Sequence, residues 1–108
     1  MNLEIAVVIL AAGLGTRMKS NKAKVLHEVC GKPMINYVAE TARKIAGINV
    51  VLVVGNQADK VRRTVSKLGT FSFAYQEKQL GTGHAVQCAL PHIRSHCREV
   101  VILCGDVP

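Results

Sequence analysis

The sequence predicts an α/β fold in which a mostly parallel sheet carries helices on both faces. Four mostly apolar segments alternate, along 108 residues, with three segments whose apolar residues recur at helical spacing. A continuous apolar run is typical of a strand buried on both faces, and strands that alternate with helices indicate parallel pairing. Hydrophobic residues make up 49% of the chain, which is enough for a packed core.

The first strand and the first helix open this pattern. Residues 5–12 are continuously apolar and too few to span a membrane. Pro33 occupies the favoured first position of a helix that Gly47 ends. The apolar stripe predicted for this helix consists of Met34, Val38, Ala42 and Ile45. A second buried strand is predicted over residues 48–54.

The second helix is predicted to begin at Asn56, which can cap it, and to end at Gly69. Asp59 supplies a carboxylate in its first turn, where the helix dipole favours negative charge. Arg62 and Arg63 are expected to point to solvent. The buried face is predicted to consist of Ala58, Val61, Val65 and Leu68.

The third strand, third helix and fourth strand complete the pattern. Residues 70–75 are few and partly polar, as expected of a strand at the edge of a sheet. Thr82 is placed to cap the third helix, and residues 99–104 form a fourth apolar strand. The apolar face of the third helix is predicted to consist of Val86, Ala89, Leu90 and Ile93.

The formal net charge of +7 indicates an acidic partner, such as a nucleotide phosphate, a nucleic acid or an anionic membrane surface. The cations are scattered and aromatic residues make up only 4% of the chain, so we expect no nucleic-acid partner. An acidic residue, Glu4, precedes the first apolar run, and neither a targeting segment nor a membrane partner is expected. The four cysteines form no Cys-x-x-Cys pair, which favours a reduced, cytoplasmic setting.

A zinc site is one alternative that the residue spacing raises. Cys88, His92 and His96 stand four residues apart and could share a helix face. Pro91 interrupts that face and no fourth ligand is evident, so the zinc hypothesis is disfavoured.

Three polar stretches follow predicted strands, where parallel sheets bind their ligands: residues 13–17, 76–83 and 105–106. In the first stretch two glycines leave backbone N–H groups accessible to a phosphate, and Arg17 adds a forked cation. The alternative is a plain turn between a strand and a helix. Asp106 offers the hard oxygen ligand that Mg²⁺ prefers, with a turn or cap residue as the alternative.

Gln76 and Lys24 each have a functional and a plain interpretation. The Gln76 amide carries a donor and an acceptor that can read a base edge, or it is a surface amide. Lys24 lies in a long connection, residues 19–32, which suits a loop over an active site, although a solvated lysine is favoured from the residues alone. A dinucleotide fingerprint is excluded, because Met18 replaces its third glycine and Gly55 its acid, and the Gly-Lys-Ser/Thr ending of a Walker loop is absent.

Five motifs closely resemble those of the sugar-phosphate nucleotidyltransferase superfamily. They are LAAGLGTRM at 10–18, KVLH at 24–27, GKPM at 31–34, QLGTGHA at 79–85 and GDVP at 105–108. The resemblance spans nearly all of the chain, and the QLGTGHA loop is similar to that of the uridyltransferase branch. It implies a Rossmann-like nucleotide-diphospho-sugar transferase fold, of which residues 1–108 would be the nucleotide-binding half.

The resemblance also implies substrates and roles. The substrates would be UTP and N-acetylglucosamine 1-phosphate, joined with loss of pyrophosphate to give UDP-N-acetylglucosamine for the cell envelope. Arg17 and Lys24 would be the catalytic residues that grip the triphosphate, and Asp106 would bind Mg²⁺. The substrate site would comprise Leu10, Ala11, Ala12, Gly13, Lys24, Gln76, Gly81, Thr82, Cys104, Gly105 and Asp106.

The chain departs from the superfamily pattern at Leu14, Ala23 and Cys104, where lysine, proline and tyrosine are common. None of these departures removes a charged catalytic group. The sugar-binding half and an acetyltransferase β-helix domain, through which a full-length protein would form a homo-oligomer, are expected beyond this chain. We therefore expect residues 1–108 to hold a nucleotide without turnover. The remaining alternatives are a relative that uses CTP or GTP and a non-catalytic anion-binding module.

Overall fold

The computed structural model describes residues 4–13, 24–78 and 80–105. In chain order the elements are β1 (Ile5–Ala11), β2 (Glu28–Val29), β3 (Lys32–Pro33), α1 (Met34–Ala46), β4 (Val50–Val54), α2 (Ala58–Ser66), β5 (Ser72–Tyr75), α3 (Thr82–Ala89) and β6 (Glu99–Cys104). The described parts of the chain also contain two 3₁₀ turns, Lys24–Leu26 and Leu90–His92. No helix within those parts is long and apolar enough to cross a membrane.

Four strands form one parallel sheet in the order β5-β4-β1-β6. The register places Ile9 of β1 beside Leu52 of β4 on one side and Leu103 of β6 on the other. The chain builds outward from β1 to β5 and then crosses over to add β6 on the far side of β1. The strand order therefore reverses between β1 and β6, which is where open parallel sheets bind ligands.

Helices cover both faces of the sheet, as the apolar runs predict. On one face Val7, Ile9 and Leu52 pack against α1 and α2. On the other face Val8 and Val53 pack against α3. All five residues of β4 are buried, because neighbouring side chains point to opposite faces and both faces are covered. The predicted α/β class is thus confirmed.

The predicted edge strand and the predicted face of α2 are also confirmed. β5 lies at the edge of the sheet. Val61 and Val65 are fully buried, and Ala58 and Leu68 pack against the same core. Arg62 and Arg63 are exposed, as expected.

The predicted helix starts are wrong by one or two residues. Pro33 precedes α1 in an extended conformation, with φ −55° and ψ 139°, because it pairs with Glu28 in the β2–β3 hairpin. Asn56 does not cap α2. The residue directly before the helix is Gln57, whose backbone is in the left-handed conformation. Thr82 lies inside α3, and Gly81 precedes the helix at φ 97°. In each case the tight loop before the helix sets the backbone, and a capping side chain is not used.

Two helix faces differ in part from the predictions. In α1 the buried residues are Ile35, Val38, Ala39, Ala42 and Ala46, whereas Met34 and Ile45 are partly buried. In α3 the buried residues are Ala85 and Ala89, and Leu90 is exposed. The α-helix ends at Ala89 and continues as a 3₁₀ turn containing Pro91, so the helical periodicity that placed Leu90 inside stops before it.

β6 has the predicted bounds but is covered on one face only. Val101 and Leu103 pack on the side of α1, whereas Val100 and Ile102 are 42% and 45% exposed. Helix α3 packs over β1, β4 and β5. Among the described residues, those of β6 on its second face are therefore more exposed than those of β1 and β4 on either face, so the apolar run of β6 does not reflect full burial on both sides.

Candidate nucleotide site

The carboxyl ends of β1 and β6 meet at the point where the strand order reverses. Leu10 pairs with Cys104, and the Gly105 N–H donates a hydrogen bond of 2.9 Å to the Leu10 carbonyl oxygen. This bond continues the ladder one residue beyond β6. The predicted loop of residues 13–17 and the predicted ligand Asp106 therefore start from adjacent points of the sheet.

Gly55, the residue that follows β4, lies between the end of β1 and the residue that follows β5. A Cβ atom on Gly55 would lie 2.7 Å from the Gln76 carbonyl oxygen and 3.2 Å from the Ala12 Cβ. The Gln76 N–H donates to the Val54 carbonyl oxygen at 2.8 Å. Ala12, Gly55 and Gln76 thus lie side by side, and only a residue without a side chain fits between the other two.

The turn that carries Lys24 is fixed at the same edge. Val25 and Leu26 are 5% and 7% exposed and belong to the core. A Cβ on Gly105 would lie 3.1 Å from Val25 Cγ1 and 3.0 Å from Ile35 Cδ1, so the turn packs directly against the residue that follows β6. The backbone of Lys24, which directly precedes Val25, therefore lies near the carboxyl edge of the sheet.

Gln76 is buried, with 4% exposure, so the surface-amide alternative is wrong. Its amide nitrogen lies 3.3 Å from the Gly81 carbonyl oxygen and 3.0 Å from His84 Nδ1. The side chain joins the end of β5 to the loop and helix that follow. His84 did not emerge as a site residue from the sequence, although it lies within the QLGTGHA motif that did.

The other described site residues occupy the rim of this edge. Ala11 and Ala12 are buried, and Gly13 is exposed. Gly81 and Thr82 are exposed at the start of α3, and Cys104 is an exposed free thiol at the end of β6. The structure brings the residues of β1 and β6 into contact directly, and it connects Gly81 to them through Gln76.

Several predicted residues lie outside the described part of the chain: Leu14, Arg17, Ala23 and Asp106, together with the side chain of Lys24. The residues of the zinc alternative lie in different elements: Cys88 is in α3 and His92 is in the 3₁₀ turn that follows it. They do not share one continuous helix. Within the described ranges, no three His, Cys, Asp or Glu side chains form a group that could hold a metal ion.

The fold and the meeting of these loops define an α/β domain with a candidate ligand site at the switch point between β1 and β6. The family model described as the MobA-like NTP transferase domain matches residues 7–108. The chain belongs to this family of nucleotidyltransferases.

Curated relatives are similar over almost the whole chain. The bifunctional protein GlmU of Geotalea uraniireducens (strain Rf4) is 53% identical over 104 residues, which cover 96% of this chain and 23% of that protein. The GlmU of Pelobacter propionicus is 52% identical over 104 residues, which again cover 96% of this chain and 23% of that protein. The chain spans less than a quarter of the length of these relatives. The resemblance to the nucleotidyltransferase superfamily is confirmed.

Solved structures share the fold. HddC from Yersinia pseudotuberculosis, complexed with GMP-PN, superposes with a TM-score of 0.78 at 29% identity, covering 94% of this chain and 47% of HddC. The inositol-1-phosphate CTP transferase from T. maritima gives a TM-score of 0.78 at 23% identity, covering 96% of this chain and 44% of that protein. The second likeness shows the fold alone.

Proposed function

We propose that this chain forms the nucleotide site of an enzyme that transfers a uridylyl group from UTP to N-acetylglucosamine 1-phosphate. The observation that carries the proposal is the contact of three loops at the switch point, where Gly105 bonds to Leu10 and Gly55 lies between Ala12 and Gln76. The similarity to bifunctional GlmU proteins supports the choice of UTP and of the sugar phosphate.

In the proposed reaction an oxygen of the sugar phosphate attacks the α-phosphorus of UTP. The bond between the α-phosphorus and the oxygen that bridges to the β-phosphorus breaks, and pyrophosphate leaves with that electron pair. Both reactants are anions, so positioning and charge neutralisation supply most of the catalysis. Arg17 and Lys24 are the residues proposed for this neutralisation, and the fixed turn under Lys24 supports its part.

A metal ion fits the donor chemistry at the end of β6. Gly105 is held against Leu10, Val25 and Ile35, so the chain leaves the sheet at a defined point just before the Asp106 carboxylate. A carboxylate oxygen is a ligand that Mg²⁺ prefers, and we propose Asp106 as that ligand. Bound there, Mg²⁺ would supply charge neutralisation at the phosphates.

The backbone of residues 10–13 is proposed to receive the uridine. These residues are fixed from both sides, by the Gly105 bond to Leu10 and by the close approach of Gly55 to Ala12. Gly13, at the exposed end, has no atom of the described residues within 4 Å of the position a Cβ would take, so none of those residues fills the space beside it. A rigid, partly open backbone edge is suited to bind a planar base without adjustment.

Nucleotide binding tests the proposal directly. Titration calorimetry with UTP, CTP, GTP and ATP in Mg²⁺ is expected to show binding of UTP with the highest affinity. Arg17→Ala should weaken binding of UTP at least tenfold, about the effect of removing one charge-assisted hydrogen bond. Gln76→Ala should reduce the preference for UTP over CTP. Equal affinities for all four nucleotides would contradict the assignment of UTP.

A relative that uses another nucleotide is the second candidate. It is favoured by the structural neighbour HddC, at 29% identity, whose structure is named for a complex with GMP-PN. The same titration decides between the candidates, because tighter binding of GTP or CTP than of UTP would replace the first by the second. Binding to random oligonucleotides that survives Arg17→Ala and falls steeply with salt would instead indicate a non-catalytic anion-binding module.

A further inference from the structure

We infer that His84 is a positioning residue for nucleotide selectivity, because it fixes the orientation of the Gln76 amide. The inference rests on the proposed function, in which Gln76 faces the base. His84 Nδ1 lies 3.0 Å from the amide nitrogen of Gln76 across the loop that precedes α3. Gln76 is buried and His84 is half-buried, so water does not readily replace this contact.

The Gly81 carbonyl oxygen determines which way the Gln76 amide points. It lies 3.3 Å from the amide nitrogen, which can donate to it. In the flipped orientation the amide oxygen would face that carbonyl oxygen, and two acceptors would meet without a proton between them. The carbonyl thus selects the orientation in which the amide NH₂ group points into the loop.

This orientation in turn determines the protonation of His84. The amide NH₂ group is only a donor, so Nδ1 of the imidazole must accept and must carry no proton. The ring proton then lies on Nε2, which is 4.0 Å from Cys88 Sγ, a weak acceptor. The three contacts are mutually consistent for one neutral tautomer of His84.

The donors and the acceptor of the Gln76 amide determine which nucleotide base it favours. Its two N–H groups are used by His84 and Gly81, so the oxygen is the amide atom that faces a nucleotide. An oxygen accepts from the N3–H group of uracil, whereas the same ring position of cytosine is an acceptor. A Gln76 amide held in this way therefore favours uridine over cytidine nucleotides, and an amide free to rotate loses that preference.

Two substitutions of His84 distinguish the effect of its hydrogen-bond acceptor from the effect of its side-chain volume. In His84→Asn the side-chain oxygen reaches about the position of Nδ1 and keeps an acceptor there. In His84→Leu the volume is roughly kept and the acceptor is lost. His92→Leu, at an exposed residue of the 3₁₀ turn after α3, is the matched control.

The preference for UTP over CTP, measured by calorimetry, is the readout that a purely structural role would not move. His84→Leu is expected to lower this ratio about tenfold, the equivalent of one buried hydrogen bond. His84→Asn should stay within about threefold of the wild type, and His92→Leu should not change the ratio. Unfolding temperatures establish that each variant is folded. If His84→Leu is unfolded, His84→Gln takes its place, since its acceptor lies near the Nε2 position and not near Nδ1.

A spectroscopic measurement on the protein without nucleotide keeps this inference separate from the proposed function. The ¹⁵N spectrum of the His84 imidazole should show an unprotonated Nδ1 and a protonated Nε2. A protonated Nδ1 at neutral pH would overturn the inference, as would an unchanged UTP to CTP ratio in folded His84→Leu. If the wild type binds no nucleotide while the spectrum shows the expected tautomer, the proposed function fails and the His84–Gln76 contact stands.

Discussion

Replacing Gly55 by alanine tests how closely the loops meet at the end of the sheet. The added Cβ would lie 2.7 Å from the Gln76 carbonyl oxygen and 3.2 Å from the Ala12 Cβ. The first contact is with backbone, so no rotamer change can relieve it, and either β4 or the residue after β5 must move. Gly55 does not have a positive φ, so the cost is steric and not conformational.

The magnitude follows from this geometry. Forcing an extra methyl group into a packed position costs about 1–3 kcal/mol, and the reduced freedom of the unfolded chain returns about 0.4–1 kcal/mol. We expect a net loss of about 1–2 kcal/mol. In a domain of this size each kcal/mol lowers the unfolding temperature by about 4 °C, so the decrease should be about 4–8 °C.

Thermal unfolding followed by circular dichroism measures this difference. Gly13→Ala is the matched control for stability, because a Cβ at Gly13 would meet no atom of residues 4–13, 24–78 or 80–105 within 4 Å. It should unfold within about 2 °C of the wild type. If Gly55→Ala unfolds at the wild-type temperature, the close approach of Ala12, Gly55 and Gln76 is not present in the protein, and the argument for a joined site is refuted.

Two further predictions concern burial and a partly buried polar contact. Ile35→Ala should lose about 2–5 kcal/mol of unfolding free energy because Ile35 is fully buried, whereas Ile102→Ala, at 45% exposure, should lose less than half as much; chemical denaturation measures both. Arg43 donates to the Leu68 carbonyl oxygen at 2.5 Å and so joins α1 to the end of α2. Arg43→Ala should lower the unfolding free energy by about 1–3 kcal/mol, and exposed Lys44→Ala should leave it nearly unchanged; equal effects would contradict a role for the Leu68 contact.

The strands could be predicted from the sequence because their signal is local and strong. Residues 50–54 are all apolar and all buried, and the alternation of strands with helices leaves parallel pairing as the simplest arrangement. The first residues of the helices were harder to predict. Asn56 and Thr82 are good capping residues by type, but neither caps its helix. Their loops instead place Gln57 and Gly81 before the helices with positive φ, which depends on where the preceding strand ends.

The candidate site could be predicted only in outline. The positions of the loops follow from the carboxyl ends of the strands, but the partners of Gln76 do not follow from spacing. Its contacts with Gly81 and His84 depend on how the loop folds back between β5 and α3. The exposure of Ile102 could not be predicted for a similar reason: the sequence of an apolar strand does not show whether a helix covers each of its faces.

The end of β1 is held by close backbone approach from both neighbouring strands. Gly55 follows β4 on one side, where an added Cβ would lie 3.2 Å from the Ala12 Cβ. Gly105 follows β6 on the other, where an added Cβ would lie 3.0 Å from the Leu10 carbonyl oxygen. A residue with a side chain at either position would push the neighbouring loop away from β1. These two close approaches lie at the carboxyl edge of the sheet, where the nucleotide is proposed to bind, and the proposed ligand Asp106 directly follows Gly105 in the sequence. Selectivity and charge can then be adjusted on these loops without loss of the geometry that brings them together.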